Sequence, residues 1–162
     1  MIDFEKELKK NIFEIIESIS DEVLISDGSG RVLWVNPGFE TCYGIAKEQA
    51  MGRYIHELEE EGVFRPAIVP MVIEKKEKIT MVQKTHEDKD ILVTATPIFN
   101  RDGSIRLVVS YSRDITEMMQ LEKKYSRMRQ RIEKYTAELH ELRKEVGNGS
   151  KVIGQSKQME NV

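Results

Sequence analysis

Nine apolar residues late in the chain, Met118, Leu121, Tyr125, Met128, Ile132, Tyr135, Leu139, Leu142 and Val146, follow one another in alternating steps of three and four. Their mean spacing is the 3.5-residue period of a two-stranded coiled coil, held for about four heptads. A helix with so regular a stripe must bury it against a like stripe on another helix. A three-step runs from heptad position a to d and a four-step from d to a. Met118, Tyr125, Ile132, Leu139 and Val146 therefore occupy a, and Leu121, Met128, Tyr135 and Leu142 occupy d. This predicts a parallel homodimeric coil over residues 117–146.

The flanking charges are uneven along that rod. Across a parallel dimer Glu117 would face Glu122, and Lys124 would face Arg129, both like-charged pairs; Glu138 with Arg143 is attractive. The first half of the seam also holds bulky tyrosine and flexible methionine, whereas Ile132 to Val146 is better matched. Gly147-Asn148-Gly149-Ser150 is expected to end the helix as a short link, with a new element opening in 151–162.

Upstream the pattern changes. Phe4, Leu8, Ile12, Ile15, Ile16 and Ile19 lie on one stripe, predicting an amphipathic helix over about 3–18. EVLISD and RVLWVN read as two strands around the turn DGSG. The second is apolar on both sides, Val32 with Trp34 and Leu33 with Val35, so its sheet needs cover on both faces, one of them from the leading helix. Asn36-Pro37 is a helix start, with the Asn side chain able to cap. Short helical pieces follow, then a longer helix near Ala67 to Lys76. Three strands close the region: KITMVQKTH, KDILVTATPIF and SIRLVVSYSRD. The expected fold is α+β: one five-stranded antiparallel sheet with helices across one face, enclosing a pocket. Asp114 and Glu117 have capping-box spacing, so the last strand runs into the long helix with almost no slack.

At 162 residues the chain holds one ordinary domain plus extra elements. A net charge of −3 gives no electrostatic case for nucleic acid or anionic lipid. The single cysteine, Cys42, excludes a disulfide framework and fits the reducing cytosol. No apolar run approaches the roughly 20 residues needed to cross a bilayer. A cytoplasmic location without membrane contact is expected.

From about Ser20 to Glu117 the chain resembles a PAS domain, most tellingly in VNPGFE and in the closing RDITE. The tail VIGQSKQMENV is similar to the opening of the AAA+ domain of bacterial sigma-54-dependent transcriptional activators, and ITMVQK to the PAS modules of that group. The resemblance implies a sensory module, residues 20–116, that reports through the coil to an ATPase beginning in 147–162. ATP hydrolysis and contacts with sigma-54 RNA polymerase and DNA would belong to domains outside this sequence. It has no G-x-x-x-x-G-K-[ST] phosphate loop, no basic recognition helix and no catalytic constellation, so the fragment itself is not expected to be an enzyme. A sensor histidine kinase or nucleotide cyclase output, and a PAS module that only dimerises, are the alternatives.

Candidate sites follow from the same reading. Ile68, Met71, Val72 and Met81 would form the greasy wall of a pocket for a small organic molecule, with Gln83, Thr94, Thr96 and Tyr111 as polar handles. Ser110 and Ser112 alternate with Tyr111 on the last strand. Which sheet face points inward is left open, because both carry apolar residues, and methionines filling an empty core is the plain alternative. Asp114, Thr116 and Glu117 would couple sheet to coil. Cys42 lacks the Asn-Cys-Arg context of flavin-binding light sensors and reads as a small core residue. No histidine lies on AIVPMVIEKK, where a haem ligand would be placed, so neither flavin nor haem is expected. His56, His86 and His140 have no metal-ligand spacing. His140, in His-Glu-Leu-Arg, resembles a kinase phosphoacceptor segment but lacks the Thr-Pro-like break that usually follows. Homodimerisation through the coil and the leading helix is the expected assembly.

Overall fold

The computed structural model describes residues 4–159, with side chains up to residue 149. The chain divides into two compact units between Glu117 and Met118. The first opens with α1 (Phe4–Glu17), followed by β1 (Glu22–Asp27) and β2 (Val32–Val35). Three short helices come next, α2 (Pro37–Tyr43), α3 (Lys47–Ala50) and α4 (Ile55–Glu60). Then come β3 (Phe64–Arg65), α5 (Ile68–Lys75), β4 (Ile79–Thr85), β5 (Asp90–Phe99) and β6 (Ile105–Asp114). Helix α6 (Thr116–Met159) forms nearly all of the second unit.

The sheet is antiparallel in the order β2-β1-β6-β5-β4-β3 and has six strands, not five. The extra one, β3, pairs only Phe64 with Thr85 and Arg65 with Lys84. Two residues are too few to show an alternating pattern, and Pro66, which has no N–H for a ladder, follows directly.

Helices α2, α4 and α5 pack their apolar sides on one sheet face. Phe39, Leu58, Val72, Ile91, Val93 and Val108 are each within 1% of complete burial there. Phe39, Tyr43 and Phe64 stack along the core with centroids 5.0 and 5.2 Å apart, a tilted geometry that aromatic quadrupoles favour. A register shift between Ile25 and Ser26 breaks the alternation of β2. Val32 and Val35 therefore both point inward, and Trp34 points outward, so the expected pairing of Val32 with Trp34 does not hold. Phe13 of α1 meets the Trp34 ring edge-on at 6.2 Å, and Lys47 lies 5.3 Å over its face. Of the apolar stripe, Phe4, Leu8, Ile12, Ile15 and Ile19 are exposed and Ile16 is half-buried.

Asn36 corrects a second expectation. Its side chain does not cap α2. Instead Oδ1 accepts the Val23 N–H at 2.8 Å, and Nδ2 donates to the carbonyls of Ile19 (3.0 Å) and Asp21 (2.9 Å). One fully buried amide thus ties α2 to the link between α1 and β1. The chain also passes very close at Gly38, where a Cβ would lie 2.6 Å from the Asp21 carbonyl oxygen. Replacing Asn36 with Asp would keep the acceptor and lose both donors. The expected loss is about 2–3 kcal/mol in a urea melt at neutral pH, and a change below about 0.5 kcal/mol would show that the staple is dispensable.

Helix α6 runs through Gly147–Ser150 without the expected stop. Glycine there costs only about 1 kcal/mol relative to alanine, and among the described residues no heavy atom within 4 Å of a Cβ at Gly147 or Gly149 would force a turn. The side chains of 150–162, and with them the AAA+-like tail, lie outside the described residues.

Candidate functional site

The face of β1 that looks toward the helices carries Glu22, Leu24 and Ser26, alternating with the outward Val23 and Ile25. On β6, cross-strand pairing sets Ser112 beside Glu22 and Ser110 beside Leu24. On β5 it sets Val93 and Ala95 beside those serines, and on β4 it sets Met81 opposite Val93 and Gln83 opposite Ile91. The inward polar set is thus Glu22, Ser26, Ser110, Ser112, Gln83 and Thr85 among apolar residues.

This fixes the sheet face that the sequence left open. Ile68, Val72 and Gln83 are buried on the helix side, and Met71 and Met81 are half-buried at its margin. Thr94, Thr96 and Tyr111 are not with them. Side chains alternate along a strand, so once Val93 and Ala95 face the helices, Thr94 and Thr96 must face away. Thr94 Oγ1 meets Thr80 Oγ1 at 2.9 Å on that outer face, where Tyr111 is 49% exposed.

The space left inside is small. A cavity lined by Glu22, Tyr43, Ile68, Gln83, Val93 and Ser110 has about 10 Å³, enough for about one water. Organic ligands of drug size occupy cavities of roughly 300–1,000 Å³, so side-chain packing fills the expected organic-ligand pocket. Gln83 Nε2 donates to the Pro66 carbonyl at 2.7 Å, and its Oε1 accepts from the Tyr43 hydroxyl at 3.4 Å.

Sequence reasoning missed Glu22. It is 2% exposed, and its Oε2 has no hydrogen-bond partner among the described residues. Burial pushes its carboxyl up to about 8, and a hydrogen bond with Ser112 limits the rise. The carboxyl is therefore mostly protonated at pH 7. The Ser112 hydroxyl also lies 3.7 Å from Cys42 Sγ. Burial pushes the Cys42 thiol up to about 12 and raises the Tyr43 phenol as well, so neither ionises near neutrality and Cys42 is no thiolate nucleophile. The signal for Glu22 was available, since in EVLISD it shares one alternation phase with Leu24.

Glu22 also borders a second, more open space of about 240 Å³ between the start of β1, α2 and the end of β6. Ser112, Arg113 and Asp114 line one side of it, and Ser20, Asp21, Gly38, Thr41 and Cys42 the rest. Arg113 donates to Asp21 Oδ2 at 2.8 and 3.1 Å.

Just past this cleft lies the start of α6. Asp114 Oδ1 accepts from the Thr116 N–H at 2.9 Å and from its hydroxyl at 2.6 Å. This is a turn onto residue i+2, so the cap forms on Thr116 and not through the expected Asp114–Glu117 box. The start of β5 holds the same residues: Asp90 N donates to Thr116 Oγ1, and Ile115 N to the Asp90 carbonyl, both at 2.9 Å. Within the second unit, every seam residue from Met118 to Val146 is between 56% and 69% exposed. His56 stacks on Tyr54 at 5.5 Å, and His56, His86 and His140 are all exposed. Among the described residues no helix is long and apolar enough to cross a membrane.

A family model described as "PAS domain" matches residues 20–117. Comparison with curated proteins returns no match. Solved structures of similar fold include an RNA-binding light-oxygen-voltage receptor, with TM-score 0.60 and 19% identity over 78% of this chain and 39% of that one. The PAS domain of BvgS from Bordetella pertussis gives 0.52 and 18%, covering 76% of this chain and 98% of that one. The PAS domain of a protein from Colwellia psychrerythraea gives 0.50 and 23%, covering 71% and 99%. The chain thus spans about two fifths of the receptor's length, and at these identities the likeness is one of fold.

Proposed function

Because this chain belongs to the PAS domain family, which is sensory and non-catalytic, we infer that it is the input module of a homodimeric signalling protein whose output is set through α6. The observation that carries this reading is the row of nine large apolar side chains on α6, all more than half exposed in the single chain. Burying such a row against a second copy removes it from water at about 25 cal/mol per Å², and the a/d repeat is the seam of a coiled coil. The open stripe of α1 is a second surface for the same dimer.

The input end supports the same assignment. Thr116 is held at once by Asp114, the last residue of β6, and by Asp90, the first of β5. A change in the pairing of those strands therefore acts on the first residue of the helix. The proximal seam is where a small bias would act: Glu117 against Glu122 and Lys124 against Arg129 are repulsive in a parallel dimer. Each exposed pair is worth only a few tenths of a kcal/mol, but coupling between sites needs only about 1–3 kcal/mol.

The output we assign is the AAA+ ATPase of a sigma-54-dependent activator. VIGQSKQMENV supports it by its resemblance to the opening of that domain and by its place directly after the coil. The intact protein would then hydrolyse ATP and act on sigma-54 RNA polymerase from DNA. A kinase output would need His140 as phosphoacceptor, and the sequence after it lacks the usual break.

The test uses the intact protein. Glu117→Lys with Lys124→Glu makes both proximal pairs attractive and locks that half of the seam. The ratio of output with and without the inducing signal is expected to fall to about one, with dimerisation retained. A locked protein that still responds normally would refute the coil as transmission element.

A further inference from the structure

The net charge of −3 conceals a strongly basic stretch of α6. Between residues 123 and 134 the helix carries six cations, Lys123, Lys124, Arg127, Arg129, Arg131 and Lys134, against one carboxylate, Glu133. Glu133 is taken by Arg129 at 3.1 Å, and Lys134 approaches Glu138 only to 4.0 Å. Lys123, Lys124, Arg127 and Arg131 have no ion-pair partner among the described residues, and all six cations are exposed.

These charges are ordered along the helix. Lys124, Arg127, Arg131 and Lys134 follow in steps of three, four and three, the spacing of neighbours on one helix face. At a rise of 1.5 Å per residue they form a row about 15 Å long, with Lys123 one turn from Arg127 on the same side. Like charges at these spacings destabilise a helix, so the row works against α6 unless something answers it. The heptad puts the row at positions g and c, clear of the a/d seam. In the parallel dimer Arg129 of the second copy, at position e, comes to face Lys124 and adds to the same flank.

We propose that this flank of α6 is a binding site for a small polyphosphate anion. Guanidinium forks match phosphate oxygens, and lysine adds point charge beside them. A single phosphate meets only two adjacent side chains, whereas a chain of phosphates answers the whole row. Other anions find less here. The flank has no aromatic platform for unstacked bases, since Tyr125 and Tyr135 belong to the seam. It gives an acidic peptide no apolar foothold, because the neighbour set between Arg127 and Lys134 on that face is Gln130. The consequence is regulatory, and it rests on the dimer reading above: neutralising Lys124 and Arg129 removes the repulsion in the proximal half, so the anion tightens the coil that carries the signal.

The probe is inorganic tripolyphosphate, titrated by calorimetry into the full chain at constant ionic strength, with sodium sulfate as the control. Saturable binding with a Kd below about 1 mM is expected, and sulfate should bind at least about tenfold more weakly. Arg127→Gln with Arg131→Gln leaves the seam and its charged flanking pairs untouched, since Arg131 faces Thr136. That double variant should lose about tenfold or more in tripolyphosphate affinity and remain dimeric. By sedimentation equilibrium, saturating tripolyphosphate should lower the dimer dissociation constant about fivefold in the wild type and leave it unchanged in the variant. Equal heats with sulfate, binding unaffected by the double substitution, or a short DNA duplex that binds where tripolyphosphate does not, would overturn the site. A wild-type chain that binds tripolyphosphate yet stays monomeric would uphold the site and sink the dimer reading instead.

Discussion

Glu22→Gln is expected to stabilise the chain at pH 8 and to flatten its stability profile from about pH 4.5 upward. The wild-type carboxyl titrates near 8 when folded, against an ordinary value of 4.5, because burial penalises its charge. Its folded pKa is raised, so the stability tied to its neutral form is fully present below pH 4.5. That stability then declines as pH rises and is gone above about 8. One pKa unit corresponds to 1.36 kcal/mol, so the full excursion is on the order of 5 kcal/mol. Glutamine keeps the shape and the hydrogen-bonding capacity without the charge. Urea melts of both proteins at intervals from pH 4.5 to 8.5 decide the matter. Curves that stay parallel over that window would mean that Glu22 reaches water and is not a core group at all.

The second large effect concerns assembly. Ile132→Asp places a carboxylate at the a position in the middle of the seam, on both strands of the dimer at once. Leaving such a charge buried without a partner costs about 3–5 kcal/mol. The dimer dissociation constant should therefore rise by about 100-fold or more, as read by sedimentation equilibrium over a concentration series. Since Ile132 lies in the second unit and is 58% exposed in the single chain, the fold of residues 4–117 should not change. A variant that remains dimeric at micromolar concentration would transfer the main contact to α1.

Much of this architecture was legible because it rests on local patterns. The heptads, the stripe of α1 and the alternation of the long strands each follow from one periodicity, and the closing hairpin from Asn100-Arg101-Asp102-Gly103. Several features depend on non-local placement. β5 carries apolar residues in both phases, Leu92 as well as Val93, so only the packing of α5 and α2 decides that Thr94, Thr96 and Tyr111 look away from the core. Asn36 has the sequence position of a cap, yet its side chain finds three backbone partners 13 to 17 residues away in sequence, and nothing local announces them. β3 is too short to leave any pattern. The expected stop at Gly147 weighed glycine as a terminator, whereas an isolated helix simply tolerates it at a modest cost. At the candidate site the opposite error occurred: the hydroxyl-bearing residues drew attention, while Glu22, in phase with Leu24, was not singled out.

The shift in β2 that turns Trp34 outward has a practical consequence. The sequence contains one tryptophan, and its ring is bordered by Phe13 from α1 and by Lys47 from α3. Indole emission from this protein therefore originates at a single side chain whose solvent shell depends on where the leading helix lies. Without any attached dye, the wavelength of that emission becomes an optical readout of the helix docking onto or leaving the sheet.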